Sequence, residues 1–345
     1  MRYEELFIAG LGSHLAPPVP VDEALASGRY EQEEQDESGQ EAVRVAGDDE
    51  PQPLMAVNAG RSALRRSGVS PRDVGLLLHA VTGHNGVEGW NAASYVQHEV
   101  LGSTDTLALE IRQLSNGGMA GIDLAAFCLA SSPGYDAALI TSADRFAEPA
   151  YDRWRTSWGL VFGDGAGAAV LSRTEGFARL LSCVTASAPE LEGMHRGGLP
   201  FRPAPDPRDH PVDFRSRTVL FAAEYGLDEI ARLMSEGIRS AFTAALEEAG
   251  VGRADIDHLV LPGFGLTLLN REVLEPLGLP LERTTYEWHR QVGHLGASDQ
   301  FASFTHLAES GRLRAGDTVA MVGVGGGFNW TCAVARVRHA PGWTP

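Results

Sequence analysis

The stretch AGRSALRRSGVSPRDV, residues 59–74, returns in the second half of the chain as AFTAALEEAGVGRADI, residues 241–256. At this interval of 182 residues the copies share an Ala-Leu pair, a Gly-Val pair and an aspartate. Each copy is typical of a helix that ends at a glycine, followed by a polar turn and an apolar run of buried-strand type. The stretch therefore predicts a β/α unit that occurs twice.

The same interval aligns a second pair of segments, GYDAALITSADRF at residues 134–146 and GDTVAMVGVGGGF at residues 316–328. Two matches at one interval indicate duplication rather than chance. We therefore predict two halves, residues 1–172 and residues 173–345. Strands alternate with helices in both, which favours largely parallel sheets covered by helices and stacked as an α/β fold of five layers, α/β/α/β/α.

The composition excludes several classes of function. With 28 Lys and Arg against 45 Asp and Glu, the 345-residue chain carries a formal charge of −17, which argues against nucleic acid and anionic membranes as partners. No run of about 18 apolar residues occurs, so no membrane span is expected, and the first residues lack a signal-peptide pattern. Cys128, Cys183 and Cys332 are far apart and odd in number, which indicates free thiols in a reducing cytoplasm and no metal site.

Two segments fit neither half of the repeat. Residues 28–53, GRYEQEEQDESGQEAVRVAGDDEPQP, are strongly acidic and have no sustained period. We expect an insertion loop there that carries much of the net charge and leaves the catalytic face to arginines. Residues 200–211, PFRPAPDPRDHP, are rich in proline and predict a surface loop or lid.

Ser115 stands at a predicted strand-to-helix turn. TLALEIRQLS, residues 106–115, is typical of a strand, and NGGMAGIDLAAFCLA, residues 116–130, is typical of a helix rich in small residues. Such a junction lifts a side chain out of the sheet edge and aims the free N–H groups of the helix start at developing negative charge. Ser115 is therefore a candidate nucleophile, although serine is also a preferred helix N-cap.

His294 and Asp299 form the corresponding feature of the second half. In QVGHLGASDQFASF, residues 291–304, His294 lies between two glycines and Asp299 follows at a predicted helix start. A histidine base needs a carboxylate that orients it. The repeat maps Ser115 onto Ala297, so two turns that face each other across a pseudo-twofold axis would bring Ser115 and His294 together. The alternative is a structural histidine followed by an ordinary first-turn acid.

Two glycine-rich segments resemble phosphate-binding loops only superficially. FGDGAGAAVL, residues 162–171, and GVGGGFNW, residues 323–330, contain neither a GxGxxG that opens a helix nor a Lys-Ser/Thr pair. Closely spaced glycines more often allow backbones to approach each other or a substrate. GVGGG ends a predicted strand, so its N–H groups could help to form an oxyanion hole. The candidate donors are the backbone N–H groups of Ser115, Gly325, Gly326 and Gly327.

Together, FGDGAGAAVL after a predicted strand, the terminal GVGGGFNW and the strand–turn–helix at Ser115 resemble the β-ketoacyl-ACP synthase III branch of the thiolase superfamily. The resemblance extends over nearly the whole chain. It implies a thiolase-like duplicated five-layer α/β/α/β/α fold, a homodimer, and an acyl group that passes from a thioester to a nucleophile of the enzyme. It implies no metal and no cofactor; acyl-CoA or a phosphopantetheine thioester arrives as the substrate.

The catalytic residues depart from the family pattern, which is Cys–His–Asn. The family cysteine aligns with Ser115, whereas alignment with Met119 leaves no nucleophile. The family histidine follows a Val-Pro pair, where this chain has Gly263 after a Leu-Pro pair, and the family asparagine falls on His294. The pattern is similar to a subgroup from antibiotic and polyketide pathways, acyltransferases and starter-unit synthases, in which one member uses serine.

These features predict an acyltransferase that moves an acyl group from acyl-CoA or acyl carrier protein, through an ester on Ser115, to a hydroxyl, an amine or a carrier-protein thiol. His294 is the expected base, and Asp299 orients it. Two alternatives stay open. One is a starter-unit ketosynthase that condenses the acyl group with malonyl-ACP, and the other is a non-catalytic scaffold that has lost both the family cysteine and the family histidine.

Other segments carry weaker signals. HNGVEGWNA, residues 84–92, is compatible with a dimer or pocket loop, and His84, His258 and His289 are interpreted as structural or surface residues. An acidic carrier protein would need a local basic patch on this chain. The candidates, which could equally be ordinary surface, are Arg145, Arg153, Arg155, Arg215 and Arg217.

Overall fold

The computed structural model describes residues 1–102, 105–132 and 134–344. Its strands are β1 (Phe7–Leu15), β2 (Pro18–Pro20), β3 (Ala42–Arg44), β4 (Val74–Ala80), β5 (Leu107–Ile111), β6 (Ala137–Asp144), β7 (Gly165–Ser172), β8 (Ala178–Ser187), β9 (His258–Val260), β10 (Thr318–Gly325) and β11 (Asn329–Val337). Its α-helices are α1 (Asp22–Ala26), α2 (Gln32–Ser38), α3 (Gln52–Ser67), α4 (Ala92–Val100), α5 (Gly117–Ser131), α6 (Gly193–Arg196), α7 (Phe214–Tyr225), α8 (Leu227–Ala249), α9 (Leu266–Leu269), α10 (Glu275–Leu277), α11 (Tyr286–His289) and α12 (Asp299–Glu309).

Nine strands form one sheet in the order β5-β4-β6-β7-β1-β8-β11-β10-β9, and β2 pairs with β3 apart from it. β1 meets β8 through two residue pairs, Phe7 with Arg179 and Ile8 with Ala178. The sheet therefore consists of a five-stranded part and a four-stranded part that are joined at one narrow point.

The prediction of largely parallel sheets is wrong. β4 runs parallel to β5 and β6, and β10 runs parallel to β9. The inner strands β7, β1, β8 and β11 pair antiparallel with their neighbours. For β10 and β11 the reason is the connection, because the short turn between Gly325 and Asn329 closes a hairpin, whereas a parallel pair needs a long crossover.

Helices separate and cover the two parts of the sheet. α3 packs on β1, β6 and β7, α8 packs on β8 and β11, and α5 and α12 lie in the middle, where they contact strands of both parts. Apolar side chains of this middle layer, among them Met119, Ile122, Phe301 and Phe304, belong to a large buried cluster. The predicted α/β/α/β/α layering is confirmed, and the fold is thiolase-like.

Equivalent turns recur at the predicted interval. α3 ends at Gly68 with a φ of 67°, and α8 ends at Gly250 with a φ of 65°. Both values lie in the left-handed region that glycine adopts freely. A one-turn 3-10 helix follows each of these caps, Pro71–Asp73 in the first case and Arg253–Asp255 in the second. These turns agree with the duplicated fold predicted from the sequence, whereas the bounds of the two halves, residues 1–172 and 173–345, stay a prediction.

The acidic segment, residues 28–53, is more regular than predicted, since it contains α2 and β3. The N–H group of Ala42 donates to the carbonyl of Arg290, and that of Arg44 donates to the carbonyl of Val292, both at 3.0 Å. The prediction of a loop is wrong for these residues. Their backbone groups are satisfied by a distant part of the chain, which no local pattern reveals.

The second irregular segment, residues 200–211, lies on the surface as predicted, and its Phe201 is 92% exposed. Across the described part of the chain, no helix combines the length and the apolar character needed to cross a membrane.

β1 and α3 pack closely because β1 has a glycine, Gly12, where they meet. A Cβ on Gly12 would lie 2.2 Å from the carbonyl oxygen of Ala59 and 2.7 Å from the backbone nitrogen of Ala63. We predict that Gly12→Ala lowers stability by about 1–3 kcal/mol, because the helix must move away from the strand, and that thermal unfolding shows a lower Tm. Gly198→Ala is the matched control, since nothing lies within 4 Å of a Cβ there. Equal Tm values for the two variants would contradict this prediction.

Candidate active site

Ser115 lies in a strained turn between β5 and α5. A one-turn 3-10 helix, Leu114–Asn116, leads into α5. Leu114 has a φ of 46°, a left-handed conformation that is uncommon and costly for a bulky residue. The residue that precedes α5 is Asn116, and no side chain caps that helix. Ser115 is therefore not its N-cap, and its hydroxyl is directed elsewhere.

Ser115, His294 and Asp299 form one hydrogen-bonded chain. Ser115 Oγ lies 2.8 Å from His294 Nε2, and His294 Nδ1 lies 2.6 Å from Asp299 Oδ2. The side chains of His294 and Asp299 are each 1% exposed. A carboxylate at Nδ1 favours the tautomer in which Nε2 accepts a proton from the serine. The arrangement is that of a nucleophile, a base and a group that orients the base.

Backbone donors complete the surroundings of the Asp299 carboxylate. Gly263 N–H donates to Oδ2 and Leu295 N–H donates to Oδ1, both at 2.7 Å. Burial by itself raises the pKa of Asp299, but the charge and hydrogen bond of His294 and the N–H group of Gly263 outweigh burial and hold this pKa below its ordinary value. The carboxylate therefore stays ionised and can stabilise an imidazolium on His294.

The space beside Gly263 is occupied. A Cβ on this residue would lie 2.8 Å from His289 Nδ1 and 3.0 Å from Asp299 Oδ1. The resemblance aligns this position with the family histidine. In this structure, such a side chain would displace His289 and crowd the Asp299 carboxylate.

The segment around Val161 and Gly163, at the start of FGDGAGAAVL, holds the His294 backbone in place. His294 N–H donates to the carbonyl of Val161 at 2.8 Å, and Gly163 N–H donates to the carbonyl of His294 at 2.9 Å. A Cβ on Gly163 would lie 2.2 Å from the carbonyl oxygen of Val292, so a larger residue would separate the two segments. Phe162 packs against the imidazole with ring centroids 5.6 Å apart. The glycines thus allow a close backbone contact, one of the roles left open by the sequence.

Asp144 is a buried acid that sequence reasoning missed. It lies at the end of β6 and accepts hydrogen bonds from Thr82 N at 2.7 Å and from Ala297 N at 3.0 Å. Burial raises its pKa to about 6. Because Ala297 lies between His294 and Asp299, this acid ties the first part of the sheet to the turn that carries the histidine. An acid that ends an otherwise apolar strand was the only signal for it.

A cavity of about 170 Å³ opens onto Ser115 and His294. Its walls are mainly apolar and aromatic, which suits the acyl part of a substrate. They include Met194, Phe214, Met234, Phe264, Leu268 and Phe328.

His195 is a second imidazole in this wall, and sequence reasoning missed it as well. Its ring stacks on Phe214 with centroids 4.2 Å apart. Burial, and to a lesser extent Arg217, lowers its pKa to about 4, so the ring is neutral at neutral pH. The residue stands in the short helix α6, outside any motif, and so left no signal.

Two of the glycines predicted for an oxyanion hole border the same cavity. β10 ends at Gly325, as predicted, and Gly325 and Gly326 lie beside Ser115 in the cavity wall. A Cβ on Gly325 would lie 2.8 Å from the backbone nitrogen of Asn116, so the glycine turn packs directly on the Ser115 turn. Gly327 follows in the turn before β11, with a φ of 82°.

The arginines predicted to bind a carrier protein are mostly paired with acids. The pairs are Arg145–Asp48, Arg153–Asp164, Arg155–Glu31 and Arg215–Glu34. Arg217 donates to the carbonyl of His195, and Arg215 lies at the cavity. The expectation that the acidic segment leaves this face to the arginines is wrong, because three of the four acid partners belong to residues 28–53, which fold back on the arginines and offset their charge.

The remaining histidines lie in different surroundings. His84 is exposed beside Glu88, and His258 Nε2 lies 3.0 Å from Asp317 Oδ2. His289, in contrast, is only 3% exposed. Nowhere in the described ranges do three or more His, Cys, Asp or Glu side chains come together in a way that could hold a metal ion.

Known proteins share this architecture. The model of the 3-oxoacyl-[acyl-carrier-protein] synthase III family matches residues 109–189, and the model of its C-terminal region matches residues 246–337. The acetoacetyl CoA synthase NphT7 of Streptomyces sp. (strain CL190) is 31% identical over 83% of this chain and 84% of its own length. The β-ketoacyl-[acyl-carrier-protein] synthase III of Erythrobacter litoralis is 27% identical over 95% of this chain and 98% of its own.

Solved structures agree with the sequence matches. The acyltransferase ChlB3 superposes with a TM-score of 0.92 at 36% identity, covering 99% of this chain and 100% of its own. OleA of Xanthomonas campestris with bound cerulenin superposes with a TM-score of 0.77 at 22% identity, covering 97% and 98%, and supports the fold alone. This chain is an enzyme of the ketoacyl synthase and acyltransferase type. The family models and the identity shared with NphT7 over most of both chains show that it belongs to the 3-oxoacyl-[acyl-carrier-protein] synthase III family.

Proposed function

We propose that this enzyme is an acyltransferase of antibiotic or polyketide biosynthesis. It moves an acyl group from acyl-CoA or acyl carrier protein, through an ester on Ser115, to a hydroxyl, an amine or a carrier-protein thiol. The observation that carries the proposal is the contact of Ser115 Oγ with His294 Nε2 at 2.8 Å, with Asp299 hydrogen-bonded behind the histidine. The 36% identity to the acyltransferase ChlB3 supports the same reaction class.

In the first half-reaction, His294 Nε2 takes the proton of Ser115 as Oγ attacks the thioester carbonyl. The C–S bond then breaks, the leaving sulfur receives the proton from His294, and the acyl group remains on Ser115 as an ester. A serine depends on such a base more than a cysteine does, because a thiol is partly ionised near neutral pH and a hydroxyl is not. Asp299 stabilises the imidazolium that forms in between.

Backbone N–H groups are the proposed ligands of the oxyanion in this step. The donors are that of Ser115 and one from the turn that starts at Gly325. The packing of Gly325 and Gly326 on the Ser115 turn, at the cavity wall, supports this role. Preorganised donors of this kind are typically worth about 3–4 kcal/mol of transition-state stabilisation.

In the second half-reaction, the acceptor enters the cavity after the thiol has left. His294 removes the proton of the acceptor as its oxygen, nitrogen or sulfur attacks the ester carbonyl. The bond from the carbonyl carbon to Ser115 Oγ breaks, and His294 returns the proton to the serine. The same three side chains thus serve both halves, and the enzyme ends in its starting state.

Gly263 is the reason to favour transfer over condensation. Decarboxylation of a malonyl group requires stabilisation of an enolate, which the family pattern supplies through a histidine and an asparagine. Here the position of that histidine has no side chain, and its space borders His289 and Asp299. The site thus offers a base for proton transfer and lacks that enolate donor.

Condensation is the second candidate, because two relatives carry the names of condensing enzymes. These are the acetoacetyl CoA synthase NphT7 and the β-ketoacyl-[acyl-carrier-protein] synthase III of Erythrobacter litoralis. In that reaction the carbanion from malonyl-ACP attacks the acyl-Ser115 ester, CO₂ leaves, and a β-ketoacyl starter forms.

A non-catalytic scaffold, the other alternative that the sequence left open, disagrees with the enzyme type of the relatives. It would explain the loss of the family cysteine and histidine equally well. It does not explain why a replacement serine, histidine and aspartate are hydrogen-bonded in sequence at a cavity.

We also propose that the enzyme is a homodimer. β5 is one of the two edge strands of the sheet in the described residues, and its Leu107 and Leu109 are 49% and 41% exposed. On α5, Leu124 and Phe127 are 41% and 50% exposed. An unpaired strand edge with apolar side chains is a surface that proteins usually cover. A second copy that pairs along β5 would cover it.

The Ser115 ester is testable by intact-mass measurement. We predict that incubation with a suitable acyl-CoA adds the mass of the acyl group to the wild-type protein and adds nothing to Ser115→Ala, because no nucleophile remains at the turn. Asp299→Asn should still be acylated, but about 10²–10⁴-fold more slowly, because the histidine is no longer oriented. Ser310→Ala, at an exposed serine, is the control and should acylate normally. Absence of an adduct with every thioester in a broad acyl-CoA panel would contradict the ester on Ser115.

Release of CO₂ separates transfer from condensation. We predict that the enzyme, supplied with acyl-CoA and malonyl-ACP, releases no CO₂ in proportion to the acyl group consumed, because the family enolate donor is absent at Gly263. Carboxyl-labelled malonyl-ACP measures the release directly. One CO₂ per acyl group consumed would overturn the transferase in favour of the ketosynthase.

The dimer is testable by light scattering after gel filtration. We predict twice the mass of one chain for the wild type and the mass of one chain for Leu109→Lys, because a charge on the edge strand opposes pairing. Leu220→Lys on α7, at a position that is 60% exposed, should leave the dimer intact. A monomeric wild type at micromolar concentration would contradict the dimer.

A further inference from the structure

His289 is a second buried imidazole, directly behind the proposed catalytic residues. It ends α11, and its Nε2 lies 2.7 Å from the Oγ of Ser303. Ser303 stands on α12, one helical turn after Asp299. The His289 ring therefore packs against the helix that presents the catalytic carboxylate.

The other ring nitrogen, Nδ1, borders the space beside Gly263 that the Asp299 carboxylate also borders. A Cβ on that glycine would lie 2.8 Å from His289 Nδ1 and 3.0 Å from Asp299 Oδ1, so both atoms border one small space. Within the described residues, His289 Nδ1 is buried and makes no hydrogen bond of ordinary geometry, although the backbone of Gly293 and Leu261 lies close enough to oppose the lowering of its pKa. A buried polar atom without a partner is uncommon in a folded protein and calls for an explanation.

Ser303 suggests which ring nitrogen carries the proton. If the serine hydroxyl donates to Nε2, the ring proton is on Nδ1, the nitrogen that borders the same space beside Gly263 as the Asp299 carboxylate. The opposite tautomer would direct a lone pair at a carboxylate, which is repulsive. The electrostatics agree that the two groups interact, since the charge of Asp299 opposes the lowering of the His289 pKa that burial causes.

Burial keeps this ring neutral. Desolvation is the largest influence on His289 and lowers its pKa. The titratable groups that face it are Asp299, whose charge opposes this effect, His294, whose charge adds to it, and His306 on α12. A neutral ring can present an N–H group to Asp299 without adding a second positive charge beside His294 when that residue becomes an imidazolium.

We propose that His289 is a positioning residue for the reaction: Ser303 holds its imidazole with the proton on Nδ1, and this N–H group stabilises the ionised Asp299 behind His294. This proposal rests on the proposed function, because His289 has the assigned role only if His294 acts as a base.

The consequence appears in the pH dependence. An N–H dipole beside Asp299 stabilises the state in which Asp299 is charged and His294 is neutral, which is the state that can accept the serine proton. Removing the dipole destabilises this state relative to the protonated pair, so the apparent pKa of the pair rises. As the solution is acidified, a variant without this dipole should therefore lose activity at a higher pH than the wild type does.

The test compares His289→Phe with His289→Gln in the full-length protein. Phenylalanine keeps the ring but removes both nitrogens, whereas the glutamine amide can accept from Ser303 and donate toward Asp299. We expect the acidic limb of the acylation rate, measured by mass adduct, to move up by about 0.5–1 pH unit in His289→Phe and to return close to the wild-type position in His289→Gln. Ser303→Ala should shift the limb in the same direction by a smaller amount, and His306→Gln, on the same helix, should not shift it.

A second readout needs no activity. The pKa of the His294 imidazole can be followed by NMR in the wild type and in His289→Gln and Ser303→Ala, with His294→Gln for assignment. Unchanged pKa values and an unchanged acidic limb in every His289 and Ser303 variant would overturn the role of His289. A lower rate with an unmoved limb in both His289 variants would reduce it to packing. An NMR shift without any acyl adduct in the wild type would instead indicate failure of the proposed function.

Discussion

The negative charge of Asp299, buried with its side chain only 1% exposed, is the constraint on which the site depends. A carboxylate taken out of water is tolerated only when donors replace its hydration. Here they are the His294 ring and the N–H groups of Gly263 and Leu295. Gly263 follows β9 and Leu295 lies in the turn before α12, so one carboxylate joins a strand end to a helix start. The position of the His294 ring over Ser115 follows from this anchoring.

The duplicated fold brings the two halves of the site together. The one-turn helix that contains Ser115 and the one that contains Ala297 are equivalent in the repeat, and α5 and α12 start from them side by side in the middle layer. Contacts across the repeat then lock the register. Gly163 binds the His294 backbone from the first half, and Asp144 binds the turn that follows it. One half of the chain thus supplies the nucleophile, and the other supplies its base.

Features with a local or repeating pattern could be predicted from the sequence. The caps at Gly68 and Gly250 and the pairing of Ser115 with His294 are of this kind, because a fixed interval relates equivalent places in the fold. Features that depend on distant partners could not. The antiparallel direction of the inner strands, the strand within residues 28–53 and the acid partners of the arginines are all decided by contacts between segments far apart in sequence. Asp144 was missed because a single acid at the end of a strand does not reveal that the fold will bury it against a distant turn.

The crowding at Gly263 has a further consequence for how such sites change during evolution. A histidine at this position and a carboxylate at position 299 compete for one volume beside His289. A change from one arrangement to the other therefore requires His289 and the carboxylate to move, and a replacement at one of these positions changes what the other positions can accept.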